Sequence, residues 1–149
     1  MRLHLPPLLL ASLLCGAVSA ASAPAAQSVL GAGQRWQVTV ETTPAAPVTL
    51  DLKEAMTIPG IGLLLQTVNR QQGVLYSKGN AKASPPVPEH LRVEWVGTPY
   101  PLCVILRPSG QTTLKAFSGF AFHTLNEANA YLSRGTPGAA PRCTFARVK

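Results

Sequence analysis

Two of the three histidines in this chain stand close to glutamates, and a histidine oriented by a carboxylate is a frequent general base. His90 follows Glu89 directly, whereas His123 precedes Glu127 by four positions. Neighbouring residues of a strand point to opposite faces, and the second pair straddles the start of a predicted helix. The spacing therefore indicates surface or helix-capping histidines rather than a catalytic base.

A serine and several carboxylates are the other groups with catalytic potential. Ser109 lies in a predicted turn and lacks the flanking glycines of a hydrolase nucleophile elbow. Glu41, Asp51 and Glu94 alternate with apolar residues, which places them on the solvent side of predicted strands and disfavours glycosidase chemistry. We therefore predict that the protein is not an enzyme, with no catalytic residue and no cofactor.

Cys103 and Cys143 are the cysteines that follow the N-terminal segment. An even pair in an oxidising compartment is most simply a disulfide, and closing so long a loop contributes about 3–4 kcal/mol if the denatured chain is nearly random. The chain has no Cys-x-x-Cys redox motif, and the spacing from His90 and His123 fits no zinc finger or ribbon. We predict one disulfide and no metal site.

The N-terminal segment is typical of an export signal. Positive residues lead into the apolar residues 5–18, and residues 18–20 supply the small side chains that a signal peptidase accepts. The apolar run is shorter than the roughly 20 residues of a membrane-spanning helix. Because Leu14 precedes Cys15 where a lipobox has a small residue, lipid anchoring is the lesser alternative. We predict a signal peptide over residues 1–20 and a secreted or periplasmic protein.

The chain is basic, with a formal net charge of +7 from 13 Lys and Arg against 6 Asp and Glu. Such an excess favours contact with anionic surfaces or polymers. The cluster of Arg142, Arg147 and Lys149 is not interleaved with aromatic residues, as a nucleic-acid groove requires. We predict no specific nucleic-acid partner and a monomer, with one domain at residues 34–149 after a flexible lead-in at 21–33.

Alternation of apolar and polar residues dominates the chain after the lead-in and predicts strands. The pattern covers residues 36–40 and repeats over 48–52 after a proline-containing break, which predicts a hairpin. Residues 61–68 and 74–76 predict a second strand pair, for which a helix over 61–72 is the alternative.

Turn signals divide the rest of the chain. Residues 56–60 are predicted as a turn, and residues 78–89 as a long exposed loop because their prolines withhold hydrogen-bond donors. A strand over 91–95 follows, and a hairpin joins residues 102–107 to 112–117.

One helix precedes the last predicted strand. Thr124 and Glu127 form a capping-box pattern, Gly135 ends the helix, and residues 143–148 alternate again. The chain is therefore mainly β, with about eight antiparallel strands in an up-and-down barrel or a sandwich and one C-terminal helix.

This order of elements resembles the lipocalin and calycin group of small secreted barrels. Gly33 and Trp36 resemble that group's Gly-x-Trp marker, with one additional residue between them. The resemblance implies that Trp36 closes one end of the barrel and that Arg107 or Arg147 stacks over it. Residues 97–133 alone also resemble the second half of a thioredoxin fold, which without paired thiols implies a scaffold with no redox activity.

Aromatic side chains are the best candidates to hold a ligand in a concave apolar site, with ordinary core filling as the alternative. They are Trp36, Tyr76, Trp95, Tyr100 and Phe117. We expect a non-catalytic binding module that holds a small apolar ligand or a partner. The alternatives are a basic envelope-associated protein on anionic wall or membrane polymers, and an enzyme or inhibitor that acts through residues 78–89.

Overall fold

The computed structural model describes residues 26–42, 46–97, 99–111 and 115–148. The predicted signal peptide and the first part of the predicted lead-in lie outside these residues. The strands are β1 (Arg35–Val40), β2 (Val48–Asp51), β3 (Glu54–Ile58), β4 (Gly62–Gln66), β5 (Gly73–Ser77), β6 (His90–Glu94), β7 (Leu102–Leu106), β8 (Ala116–Phe122) and β9 (Arg142–Arg147). The helices are α1 (Ala26–Val29) and α2 (Leu125–Arg134), and a 3-10 turn covers Pro108–Gly110.

The nine strands form one antiparallel sheet in the order β2-β1-β9-β8-β7-β6-β5-β4-β3. Its two outermost strands, β2 and β3, are consecutive in the chain. Leu52 N donates to Gln34 O (3.0 Å) beside β1, and Lys53 N donates to Gln66 O (2.9 Å) beside β4. One extended segment therefore joins both ends of the sheet, which curls into a half-barrel. The predicted mainly β, antiparallel, barrel-like fold with one C-terminal helix is confirmed.

The concave face of the sheet holds the main apolar cluster. Trp36 and Val38 alternate with polar residues in β1, and they are 0% and 1% exposed. The period-two pattern therefore predicted the buried face correctly. The same alternation places the other members of the cluster inward, among them Leu50, Leu65, Val74, Leu91, Val93, Ile105, Phe117 and Phe145.

The apolar segment before residue 70 is a strand rather than a helix. β4 pairs with β5 so that Leu63 lies opposite Tyr76 and Leu65 opposite Val74, and both pairs belong to the main cluster. An apolar run of this length is compatible with a strand or with a helix. This run forms a strand because β3 and β5 pair with its backbone on both sides.

The prediction of a turn at residues 56–60 is wrong for its first part, because residues through Ile58 belong to β3. Four of the five β3 residues are exposed. Leu52 is buried, so strict alternation would point the second residue after it inward. The residue that pairs with an inward leucine of β4 is instead Ala55, the third residue after Leu52, so the chain carries one extra residue here. β3 forms through backbone pairing with β4 and buries almost none of its side chains. Its residues therefore show no alternation of buried and exposed positions.

Helix α2 packs on the convex face of the sheet. Thr124 Oγ1 accepts a hydrogen bond from Glu127 N (3.2 Å), and Glu127 Oε2 accepts one from Thr124 N (3.0 Å). The predicted capping box is therefore confirmed, and Gly135 ends the helix in the left-handed conformation. The helix covers a second apolar cluster of Leu102, Val104, Phe122, Ala128 and Tyr131.

The predicted disulfide between Cys103 and Cys143 is confirmed, with the two Cα atoms 6.1 Å apart. The bond links β7 to β9 across the intervening β8. Gly119 of β8 lies here, and a Cβ atom on it would come within 2.1 Å of Val104 O. The close approach of the two backbones therefore requires glycine at this position.

The predicted strand at residues 112–117 is displaced in the structure. Residues 112–114 lie outside the described residues, and β8 runs from Ala116 to Phe122, with Phe122 opposite Leu102. Its second half has no apolar-polar alternation because α2 covers the outward Phe120 and Phe122.

β7, β8 and α2 all belong to this antiparallel half-barrel, so the thioredoxin-like alternative for residues 97–133 is wrong.

The predicted flexible lead-in differs from the structure over its described part. Ala26 and Leu30 are 0% and 6% exposed and pack against the main cluster. Ala26 N donates to Ser109 Oγ (2.9 Å), and Gln34 Nε2 donates to Val29 O (2.8 Å). These contacts order a segment whose composition alone predicts no ordered structure. Within the described residues, no helix is long and apolar enough to cross a membrane.

Candidate functional site

The concave side of the sheet is filled where the predicted ligand residues Trp36 and Phe117 lie. Trp36 stacks on Phe145 with ring centroids 4.5 Å apart and on Phe117 at 5.9 Å. All three side chains are 0% exposed, and Trp36 Nε1 donates to Gln34 Oε1 (2.9 Å). A ligand would have to displace these rings to reach the interior of the sheet here.

Tyr76 belongs to a hydrogen-bonded cluster in which one carboxylate oxygen accepts several donors. Tyr76 Oη donates to Glu89 Oε1 (3.1 Å), and Ser109 donates to the same oxygen through Oγ (2.5 Å) and N (3.3 Å). Burial, followed by the Glu89 charge, raises the pKa of Tyr76. Ser109 is a turn residue, as predicted, and its hydroxyl holds Glu89 and Ala26. No local sequence pattern indicated this cluster, because its members are far apart in the chain.

The remaining tryptophan of the predicted ligand set is also buried. Trp95 is 3% exposed and belongs to the main apolar cluster, directly after β6. Its backbone N donates to Pro101 O (3.0 Å), which closes the connection between β6 and β7.

Tyr100 is the member of the predicted ligand set that lines an open groove. Its ring stacks on His123, with centroids 4.0 Å apart and planes at 28°. The space beside this pair, here called the Tyr100 groove, has a volume of about 520 Å³ and runs between α2 and the segment after it. Its walls include Tyr100, Phe122, His123, Tyr131, Arg134 and Pro141.

The aromatic walls of the Tyr100 groove are held from several sides. Tyr131 packs against Phe122 (5.2 Å between centroids) and Phe120 (5.7 Å), and burial raises the pKa of its hydroxyl. His123 Nδ1 donates to Pro99 O (2.5 Å), which orients the ring beneath Tyr100. The groove therefore offers positioned aromatic surfaces with polar groups at their edges.

The histidines have different environments. His123 is exposed, and its backbone N donates to Glu127 Oε2 (3.0 Å), which agrees with the predicted capping position. His90 is 5% exposed, so the prediction of a surface side chain is wrong for it. Its Nδ1 donates to Pro88 O (2.9 Å), and burial lowers its pKa. Among the hydrogen bonds of the described residues, neither imidazole ring pairs with Glu89 or Glu127; the rings bond to the carbonyl oxygens of Pro88 and Pro99 instead.

The two arginines predicted to stack over Trp36 occupy separate places. Arg147 in β9 lies directly opposite Trp36 in β1, and residues paired in this way point to the same face. Arg107 follows β7 with a left-handed backbone (φ 47°, ψ 55°) and lines a groove together with Leu132 and Arg134 of α2. Arg107 therefore belongs to the side of the sheet on which α2 packs. Stacking over Trp36 remains a prediction for Arg147, whereas Arg107 lies instead at the end of α2.

The part of the chain that the structure describes contains no group of His, Cys, Asp and Glu suited to a metal ion.

Comparisons of this chain with models of protein families, with curated proteins and with solved structures found no match in any of the three.

Proposed function

We propose that this protein is an exported, non-catalytic binding module that holds a small apolar ligand in the Tyr100 groove. The observation that carries the proposal is the groove beside the stacked rings of Tyr100 and His123, whose lining includes the largely buried Phe122 and Tyr131. Its volume falls within the roughly 300–1,000 Å³ typical of small-molecule sites, which combine apolar walls with a few polar groups.

The position of the groove also supports the proposal. One wall belongs to α2, whose start is held by the capping box and whose Tyr131 packs into the convex apolar cluster. The groove is therefore built on secondary structure with ordered contacts, which keeps the conformational cost of binding low. The fully buried Trp36 and Phe117 do not line this groove.

Two measurements test this proposal. Protein purified from its own host is examined by native mass spectrometry, where we expect a bound small molecule. The recombinant protein is titrated with 2-naphthol, a neutral aromatic probe, while backbone amide shifts are recorded. We expect saturable shifts at Tyr100, His123 and Tyr131. The absence of both a bound molecule and saturable shifts at these residues contradicts the proposal.

Matched variants separate the groove from general surface effects. Removing the ring in Tyr100→Ala is expected to weaken 2-naphthol binding by about tenfold, in line with the energy of an aromatic contact. Tyr100→Phe keeps the ring and is expected to bind as the parent does. Leu125→Ala removes exposed apolar surface from the same helix outside the groove, and it serves as the control.

Export accords with the disulfide, because disulfides persist mainly in oxidising compartments. N-terminal sequencing of the protein recovered from its host tests the predicted cleavage after Ala20. Recovery of the uncleaved chain from the cytosol contradicts this part of the proposal.

A second function, attachment to anionic wall or membrane polymers, is supported by the distribution of ion pairs. Asp51, Glu54 and Glu94 pair with arginines. Several cations have no ion pair among the described residues, namely Lys53, Lys78, Lys82, Arg107, Lys115, Arg134 and Arg142. Binding to wall fragments that falls steeply between low and physiological salt is expected for this function, whereas salt-independent behaviour excludes it.

A further inference from the structure

A second groove lies on the other side of the C-terminal turn of α2. It has a volume of about 640 Å³ and is here called the Arg107 groove. One wall is the proline-containing segment before β6, and the other is the end of α2. The lining residues used below are Pro86, Pro88, Leu106, Arg107, Leu132 and Arg134.

Two guanidinium groups and one carboxylate, that of Glu89, line this groove. Arg107 and Arg134 are both exposed, and neither forms an ion pair with any residue that the structure describes. The Glu89 Oε1 atom accepts hydrogen bonds from Tyr76 and Ser109, which hold this carboxylate in place, so one negative charge stands against two positive charges. The groove therefore carries an excess of positive charge, which favours an anionic ligand.

The backbone at Arg107 reinforces this assignment. Its left-handed conformation is one that glycine and asparagine adopt at lower cost than a residue with a long side chain. Arg107 nevertheless adopts this backbone conformation, which places its guanidinium group in the groove directly after Leu106 and beside the end of α2.

Apolar residues line the groove together with the two arginines. Leu106 and Leu132 are partly buried members of the convex apolar cluster, and Pro86 and Pro88 form a stiff wall opposite them. Guanidinium groups bind carboxylates and phosphates through paired hydrogen bonds, while the leucines offer contact to an aliphatic chain.

We propose that the Arg107 groove binds an anionic amphiphile, with a carboxylate or phosphate head at Arg107 and Arg134 and an aliphatic chain along Leu106 and Leu132. This site is separate from the proposed Tyr100 groove. Arg107 lines only the former and Tyr100 only the latter, although Arg134 borders both.

Calorimetric titration with decanoate below its micelle concentration tests the proposal, with decanol as the neutral analogue. We expect decanoate to bind at least tenfold more tightly than decanol. Arg107→Asn, which suits the left-handed backbone, and Arg134→Gln are each expected to weaken decanoate binding by about tenfold. Lys115→Gln removes the same charge outside the groove and is expected to change binding less than twofold.

Three results would overturn the proposal: equal binding of decanol and decanoate, no effect of either arginine variant, or an equal loss in Lys115→Gln. Circular dichroism and the melting temperature confirm that the variants remain folded. Tyr100→Ala is expected to leave decanoate binding unchanged, which separates this site from the Tyr100 groove.

A further comparison distinguishes the sources of the anion. Vesicles of phosphatidylglycerol and of phosphatidylcholine are tested with the same variants. Retention on the anionic vesicles that is lost in Arg107→Asn indicates a lipid headgroup, whereas binding of monomeric decanoate without vesicle retention indicates a free carboxylate.

Discussion

The concave and convex faces of the sheet differ in how completely their apolar surface is covered. On the concave face, Trp36, Phe117 and Phe145 stack on one another and are fully buried. On the convex face, one short helix covers β7 and β8 and leaves a groove on each side of its C-terminal turn. The interior of this half-barrel is therefore filled by its own side chains, whereas the margins of α2 carry the grooves to which we assign the proposed binding.

The largest expected effect concerns the concave face. Trp36→Ala is expected to lower the free energy of unfolding by about 3–5 kcal/mol, because it removes a buried ring from a packed stack. Tyr100→Ala, at a groove, is expected to lower it by less than about 1.5 kcal/mol. Urea denaturation measures both. Equal losses in the two variants would break the distinction between the faces.

The disulfide is expected to rank next. Cys103→Ala combined with Cys143→Ala is expected to lower the free energy of unfolding by about 3–4 kcal/mol, because the denatured chain gains conformational freedom without the crosslink. Denaturation with and without dithiothreitol checks this value. The parent is expected to lose stability on reduction, and the double variant is expected not to respond. An unchanged midpoint for the reduced parent would contradict the prediction.

A smaller effect is expected on the convex face. Thr124→Ala removes the hydroxyl that accepts a hydrogen bond from Glu127 N, and it is expected to cost about 1 kcal/mol. Thr124→Ser keeps the hydroxyl and is the control. Hydrogen exchange is expected to accelerate in α2 and not in β4–β6. A uniform acceleration would show that α2 and the sheet open together.

The smallest expected effect is the pH dependence contributed by His90. Burial lowers its pKa, so below the ordinary value of 6.5 the unfolded chain binds the proton that the folded chain resists. Stability therefore falls as the pH decreases from about 6.5. His90→Asn keeps a donor near Pro88 O and is expected to flatten this decline in denaturation midpoints between pH 7 and 5. An unchanged slope would exclude His90 as its source.

The candidate sites were predicted unevenly. Tyr100 was among the aromatic residues chosen from the sequence, but its partner His123 was interpreted only as a capping residue. The cluster of Tyr76, Glu89 and Ser109 was not predicted, because its members come from a strand, a loop and a turn. Arg107 was assigned a place over Trp36, and it lines a groove at the end of α2.

Local patterns sufficed for the features that depend on neighbours in the chain. Alternation predicted the buried face of β1, the capping residues predicted the start of α2, and the cysteine pair predicted the disulfide. Each follows from pleat geometry, backbone hydrogen bonding at a helix end, or cysteine number.

Tertiary structure decided the rest. β3 exists because β4 offers a partner for its backbone, and the segment from Ala26 is ordered because the curled sheet presents apolar surface and Ser109 to it. The two grooves arise where α2 is too short to cover the convex face. The physical reason is that these features depend on contacts between distant residues, which the curl of the sheet creates.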